Sequence, residues 1–577
     1  MSLDAIKARA AALRAQLDTG TEKPASTAQQ LAPVIPMPTS GEPAEAPKAP
    51  STAKNQLEQI AQEVQPTDAA TKGALATQAL VSMFDPFEDQ HGGFNAMLNC
   101  GDRTETVPLD SEHFADAVRD AAMRCSGRMI GKDAIATVVS ALRTQARGQP
   151  RRVVNRRIGM DGTDYLLDLG DADGHMARVN ASGVTVEKNG AQPFRRGRGY
   201  GELSRPADCT DAAQAWDFVL PMLDGVPEPD QLPMVAAVVE FLRSDSPNPI
   251  LNLIGPEGSG KSAVAWRVAQ AIDPFEGNMP SVGQDERDMV AAAQGRHVVT
   301  IDNVSKMGPG VEDLMCRMAT GGAVTQRALY SNVGTVTADV HCALLLTGIQ
   351  SQLRQADALD RALTVSVKKP SAYRPENEVR AEYAAKLPEV LGGLLYFLHV
   401  SVRDRATVAA QRAWKHRMVA WNQTGEAIAQ ALGHPPGHFV GLMASKRQRA
   451  AEDYIEGDTF ARALVKTLHV WAAEAKPAEK LPGYRRWGKV PGWCAVQTKG
   501  RVVVVATAQT ICAAVGRQND DWTNRGPTLP GTARATTGAL QRVQGVLGRA
   551  GIDATLQPIN GANNCAWMFI MPRTEEQ

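Results

Sequence analysis

The sequence predicts a multidomain α/β protein whose central domain is a mostly parallel sheet covered by helices on both faces. Three observations predict it. At 577 residues the chain is too long for one hydrophobic core. Short apolar, β-branched runs recur as ILNLI (250–254), HVVTI (297–301), ALLLT (343–347) and LTVSV (363–367), with helical segments between most of them. The first of these runs leads straight into a glycine-rich turn that opens a helix.

Bulk composition is that of a soluble globular protein: 43% apolar and 21% charged residues. Lys plus Arg and Asp plus Glu both number 62, so any attraction to nucleic acid has to come from local basic patches. The eight cysteines form no CxxC pair and no Cys/His group with zinc spacing, which favours buried reduced thiols. The first residues lack an apolar signal core. The longest apolar run, within Val390–Val400, falls short of the ~20 residues that span a bilayer. A cytoplasmic protein without membrane contact is expected.

Residues 1–18 place Leu3, Ile6, Ala10, Leu13 and Leu17 at alternating spacings of three and four, behind a Ser2 cap. They predict an N-terminal helix, either a frayed surface helix or a docking helix for a partner or a neighbouring subunit. Residues 19–53 hold seven prolines among Ala, Ser, Thr and Glu and predict a disordered linker. Residues 54–150 carry a helical pattern, as at Phe114, Ala117, Val118, Ala121, Ala122 and Cys125. From 151 to 205 the period shortens to strands VVNRRI, DYLLDLG, ARVNA and GVTVE, a small β module. The acids of DLGDADGH (168–175) suit a solvated turn better than a metal site.

The region 206–375 begins with a helical lead-in ending at Leu242 and contains the strongest motif. Gly255-Pro256-Glu257-Gly258-Ser259-Gly260-Lys261-Ser262, followed by Ala263, satisfies GxxxxGK[ST]. Its glycines let backbone N–H groups turn towards phosphate oxygens, and the following helix adds its positive end. Lys261 is expected at the β- and γ-phosphates of ATP, and Ser262 on Mg²⁺. The second magnesium-side group is Asp302, at the end of HVVTI; the alternative is a strand-end acid capping a turn. Asn303 follows it where an acid would activate water. An amide is no general base, although it can orient a water; Asp285 and Glu286 lie upstream as other acids.

With these residues in place, 250–370 resembles the helicase domain of superfamily-three enzymes, above all the AAA+-like primase–helicase ATPases of phages, plasmids and integrated elements. MATGGAVTQRALYSN (318–332), ALLLTGI (343–349) and DALDRALTVSV (357–367) follow that family's order and spacing. The resemblance implies a hexameric ring around single-stranded DNA. It implies that Arg327 lies on or beneath a DNA-facing hairpin, that Thr347 takes the sensor position, and that Arg361 is an arginine finger. A trans-acting arginine would stabilise transition-state charge and tie hydrolysis to subunit contact. The plainer alternatives are a surface ion pair for Arg361 and a hairpin salt bridge for Arg327. Two departures, Thr347 where the family commonly has Asn and Asn303 after Asp302, bear on hydrolysis more than on ATP binding. Arg103–Leu109 and DYLLDLGD look like the family's N-terminal region, without a convincing primase site.

Residues 376–480 predict helices. Residues 481–577 form a final module; from 485 on it carries eleven Lys/Arg against five Asp/Glu. A helix with Leu540, Val543, Val546 and Leu547 on one face presents Arg542 and Arg549 on another. ATLQPI and CAWMFIM then follow across Asn560-Gly561, a hairpin signal. Helix then hairpin is the layout of a winged helix that binds duplex DNA; the alternative is a small packing domain. The functional expectation is an ATP-dependent DNA helicase or translocase in replication of a phage, plasmid or integrated element. The alternative is an ATP-gated initiator or loader that does not unwind DNA.

Overall fold

The computed structural model describes residues 76–572 apart from 101–102, 191, 198, 277–281, 284, 305–306, 328–334, 415, 478–491, 499, 518–528 and 559–564. The N-terminal helix, the proline-rich linker and the Asn560-Gly561 turn lie outside the described residues.

The helical expectation for 54–150 holds over 112–126 and 132–146 and is corrected over 85–108. Strands β1 (Asp85–Glu88), β2 (Phe94–Cys100) and β3 (Arg103–Pro108) form an antiparallel sheet, backed by α1 (Glu112–Ser126) and α2 (Lys132–Ala146). FNAMLNC does alternate, but the buried Asn95 blurs the apolar period; its Nδ2 donates to Asp89 at 3.0 Å. Leu98, Val107, Phe114, Val118 and Leu142 make this unit's own core. Next come four antiparallel strands: β4 (Ile158–Asp161), β5 (Asp164–Asp168), β6 (His175–Asn180) and β7 (Gly183–Lys188). Residues 153–157, read as strand, instead bridge outward. Arg157 is fully buried and its Nε donates to Asp273 Oδ1 at 3.0 Å.

Helices α3 (Ala212–Val219) and α4 (Glu228–Phe241) lead into β8 (Ile250–Ile254) and α5 (Lys261–Ile272). Then follow α6 (Glu286–Gly295), β9 (Val298–Ile301), α7 (Pro309–Thr320), the hairpin β10 (Ala323–Arg327) and β11 (Thr335–Asp339), β12 (Ala343–Gly348), α8 (Ala356–Arg361) and β13 (Ala362–Ser366). The central sheet is parallel throughout, in the order β13-β8-β12-β9. Alternate residues feed opposite cores, as a strand's two-residue period requires. Leu251, Leu253, Leu345 and Val365 pack towards α4 and α5; Ile250, Leu344, Leu346 and Ile301 pack towards α6 and α7.

Helices α9 (Glu376–Arg403), α10 (Arg405–Ala410), α11 (Val419–Ala431), α12 (His438–Gly457) and α13 (Thr459–Ala473) follow. The apolar run 390–400 lies in α9 and is largely buried against the main core. Among the described residues no helix is long and apolar enough to cross a membrane. The last unit contains β14 (Lys476–Pro477), β15 (Trp493–Thr498), β16 (Arg501–Ala506), α14 (Ala508–Arg517), α15 (Ala533–Arg549), β17 (Asp553–Pro558) and β18 (Cys565–Pro572). Its sheet order is β14-β15-β16-β18-β17, and β17 and β18 pair antiparallel from Pro558↔Cys565 inwards. The cysteines correct a second expectation. All eight are free, but only Cys316 and Cys342 are buried, while Cys125 and Cys565 are exposed.

Candidate functional site

The end of β8 turns into residues 255–260 before α5 begins. Gly255 (φ 153°), Gly258 (φ 73°) and Gly260 (φ 83°) adopt backbone that side chains disfavour. Space is also short at two of them. A Cβ on Gly255 would stand 2.7 Å from Val367 O, and one on Gly258 would stand 2.9 Å from the Tyr373 hydroxyl. Ser259 is buried, whereas Pro256, Glu257, Gly258, Gly260, Ser262 and Ala263 are exposed. Lys261 Nζ donates to Gly255 O at 2.9 Å and Pro256 O at 2.8 Å, so its ammonium is held across the turn. An exposed glycine-rich turn, a helix N-terminus and this ammonium suit a polyphosphate.

The acid comes from β9. Ser262 Oγ donates to Asp302 Oδ1 at 2.8 Å. Thr347, at the end of β12, also donates its hydroxyl to Asp302 Oδ1, while the Thr347 Oγ1 accepts from Asn303 N at 2.9 Å. Val304 N donates to Thr347 O at 2.8 Å, and Gly255 N to Gly348 O at 3.2 Å. Because β12 lies between β8 and β9, Thr347 stands where all three strand ends meet. Asn303 is the single described non-glycine residue with positive φ, at 55°, and it is exposed. The hydroxyl of Ser262 and the carboxylate of Asp302 make a hard-oxygen pair that fits Mg²⁺.

The two alternative acids sit at the start of α6. Asp285 caps α6, accepting from Asp288 N at 2.8 Å, and Glu286 lies in the first turn of that helix. Arg327 closes the β10–β11 ladder opposite Thr335. Arg361 is 13% exposed: its Nη1 donates to Asp357 O at 2.9 Å and stands 2.5 Å from Asp357 Oδ1. Arg417 pairs with the same carboxylate, and Arg361 Nε has no hydrogen-bond partner among the described residues. Within one chain Arg361 is thus ion-paired.

In the last unit Arg542 and Arg549 do not share a free face. Arg542 is exposed, but Arg549 Nη2 reaches Asp360 Oδ1 at 2.6 Å, because α15 packs against the short helix α8. Two further features escape sequence reasoning. Tyr373, 72% exposed, donates its hydroxyl to Gly258 O at 3.2 Å. A cleft of about 830 Å³ opens at the carboxyl ends of β8, β12 and β13, walled by Ile254, Ser351, Ser366, Lys446 and Arg449. Its α12 residues come from a helix with no motif, so only the fold reveals them.

Residues 228–433 match the family model of the actinomycete integrative conjugative element replication protein. Among solved structures the chain is similar to one described as the active helicase Cch of SCCmec type IV. That match has 11% identity and TM-score 0.39, covering 77% of this chain and 91% of that one. It is also similar to the NrS-1 C-terminal region, with 10% identity and TM-score 0.33, covering 86% of this chain and 98% of that one. A third match is JCV helicase bound to a small molecule, with 14% identity and TM-score 0.21, covering 39% and 67% of the two chains. No curated protein matches.

Proposed function

We propose that the chain is an ATP-dependent DNA helicase or translocase that serves replication of an integrated mobile element. The observation that carries the reading is the meeting of Lys261, Ser262, Asp302 and Thr347 at the ends of β8, β9 and β12, within the segment that matches the replication-protein family model. ATP with Mg²⁺ would supply the phosphoryl bond whose hydrolysis drives motion. Residues 255–263 would bind the phosphates through backbone N–H groups, with Lys261 neutralising the β- and γ-oxygens. Ser262 and Asp302 would hold the metal ion. Thr347, already bonded to Asp302 and to Asn303 N, would keep the acid and the following turn in register.

DNA contact is assigned to two places. The β10–β11 hairpin with Arg327 would face a single strand inside a hexameric ring, with Arg361 serving the neighbouring subunit's ATP. The last unit runs three strands, two helices, then a hairpin. In it β16 pairs with β18 and β18 with β17, which supports a winged-helix reading with α15 in the major groove of duplex DNA.

Asn303 favours a second reading, an initiator or loader gated by ATP without unwinding. A neutral amide follows Asp302 in a left-handed conformation, and it cannot take a proton from water. One pair of assays separates the readings: ATP hydrolysis and displacement of a strand from a forked duplex, for the native chain and Lys261→Ala. The motor reading expects both activities in the native chain and neither in the variant. Hydrolysis without displacement supports the second reading; full hydrolysis by Lys261→Ala overturns both.

A further inference from the structure

Residues 124–157 hold nine Lys/Arg and one acid, Asp133, in a chain with no net charge. Arg156 and Arg157 turn inward. Arg156 donates to the Ala293 and His341 carbonyls, and Arg157 is buried on Asp273. Arg124, Arg128, Lys132, Arg143, Arg147 and Arg151 stay exposed, and Arg152 is half-buried. Arg151 and Arg152 pair with Glu88 and Asp85, at 3.1 and 2.7 Å. Arg143, in the last turn of α2, and Arg147, its C-cap residue, have no carboxylate partner among the described residues. Instead their guanidiniums lie 5.8 and 5.6 Å from the centroid of the half-buried Phe94 ring.

Beside this ring runs a groove of about 640 Å³, lined by Phe94, Arg143, Gln90, Arg195, Arg156 and Asp339. Arg195 donates to Asn95 Oδ1 at 2.8 Å, but its Nε has no acceptor among the described residues. Asp339 is the last residue of β11, so the groove ends at the foot of the hairpin that carries Arg327. His91 and Arg156 both stand 3.8 Å from the Asp339 carboxylate, which ties the groove wall to that foot.

We propose that this surface is a second nucleic-acid site, a platform for single-stranded DNA outside the sheet that carries the phosphate loop. Arg143 and Arg147 contact phosphates, and Phe94 with their guanidinium planes offers a flat stacking face to an unpaired base. Duplex DNA hides its base faces, so a ring flanked by cations fits a single strand better. The site rests on the reading of the chain as a DNA-acting protein and adds a location that no motif marks.

The test uses the full chain and a fluorescent oligo(dT), titrated with salt. Each lost phosphate contact lowers the slope of log K against log salt by about 0.7 for a single strand. Arg143→Gln/Arg147→Gln is therefore expected to lower it by about 1.4. Arg143→Lys/Arg147→Lys should keep the slope. Phe94→Leu, which retains bulk without a π-face, should weaken binding on the order of tenfold at unchanged slope. DNA-independent ATPase activity should not move in any of them, and melting temperature should not move in the arginine variants. A wild-type slope in the double Gln variant, unaltered affinity in Phe94→Leu, or a loss confined to duplex DNA overturns the platform and leaves the proposed function standing. If the native chain binds no DNA, both fall.

Discussion

Ser262 and Asp302, 40 residues apart, are joined by a hydrogen bond of 2.8 Å from hydroxyl to Oδ1, which links the first turn of α5 to the end of β9. A hydroxyl and a carboxylate converging in this way are two of the oxygen ligands that a magnesium ion with several bound waters would take. Asp302→Asn keeps the shape and removes the charge. It is expected to lower ATP turnover at least a hundredfold, while Ser262→Ala raises the magnesium concentration needed for half-maximal rate. Steady-state hydrolysis against Mg²⁺ checks both. Unchanged magnesium dependence in both variants would separate this pair from the metal.

Acid should weaken the protein through His297. Burial, opposed by the Asp273 carboxylate, holds this imidazole down to about 4 from an ordinary 6.5. Its ring donates to Phe241 O, and Asp273 Oδ2 accepts from His297 N and Val298 N at 2.8 and 3.0 Å. Because the folded value lies below the unfolded one, this contribution is whole above pH 6.5. It is lost as pH falls from 6.5 to 4, on the order of 3 kcal/mol in all. Denaturant midpoints measured across that range should fall for the native chain and fall less for His297→Gln. Parallel curves would show that His297 is not the titrating group.

The two arginines of α15 should separate in function. Arg542 is exposed, whereas Arg549 is bonded to Asp360. Arg542→Gln is expected to lower the salt slope of duplex binding by about 0.9, the value for one phosphate on B-DNA. Arg549→Gln should leave that slope alone and cost about 1 kcal/mol or less of stability, as for a partly exposed ion pair. Salt-titrated anisotropy with a labelled duplex, beside thermal melting, measures both. Equal slope changes would place Arg549 on the DNA.

How much of this was legible in the sequence depends on how local each feature is. The turn at 255–262 is a contiguous motif, and the apolar runs at 250–254 and 343–347 coincide with β8 and β12. Motifs also brought Ser262 and Asp302 together across 40 residues, but long-range pairs outside any motif were not legible. Nothing near Arg549 names Asp360, and nothing near Gly258 names Tyr373, which follows the last strand of the sheet. The strands at 85–108 were hidden for another reason. Asn95 and Asp89 occupy buried positions as a hydrogen-bonded pair, which breaks the apolar alternation that announces a strand. Arg156 and Arg157 interrupt VVNRRI in the same way, since their partners lie in the neighbouring unit.

Arg361 provides the test of coupling between subunits. In a single chain it is held by Asp357, which Arg417 also pairs with, and the next residue back, Asp360, is bound to Arg549 of the last unit. To reach a neighbour's γ-phosphate the guanidinium has to exchange the Asp357 carboxylate for the phosphate, a swap between two anions that ring assembly with ATP would drive. Arg361→Ala is therefore expected to leave ATP binding nearly intact while hydrolysis falls on the order of 10³-fold. Lys261→Ala should be inactive for the separate reason that its own phosphate site is broken. Mixed rings of the two variants contain interfaces where an intact Arg361 meets an intact Lys261, so mixing should restore part of the activity. Asp357→Asn, which removes the ion pair of Arg361 but keeps the arginine, should not reduce hydrolysis as Arg361→Ala does. If mixed rings form, as judged by sedimentation of differently tagged chains, and stay as inactive as either parent, Arg361 acts inside its own chain. Its ion pair with Asp357 would then be its whole role.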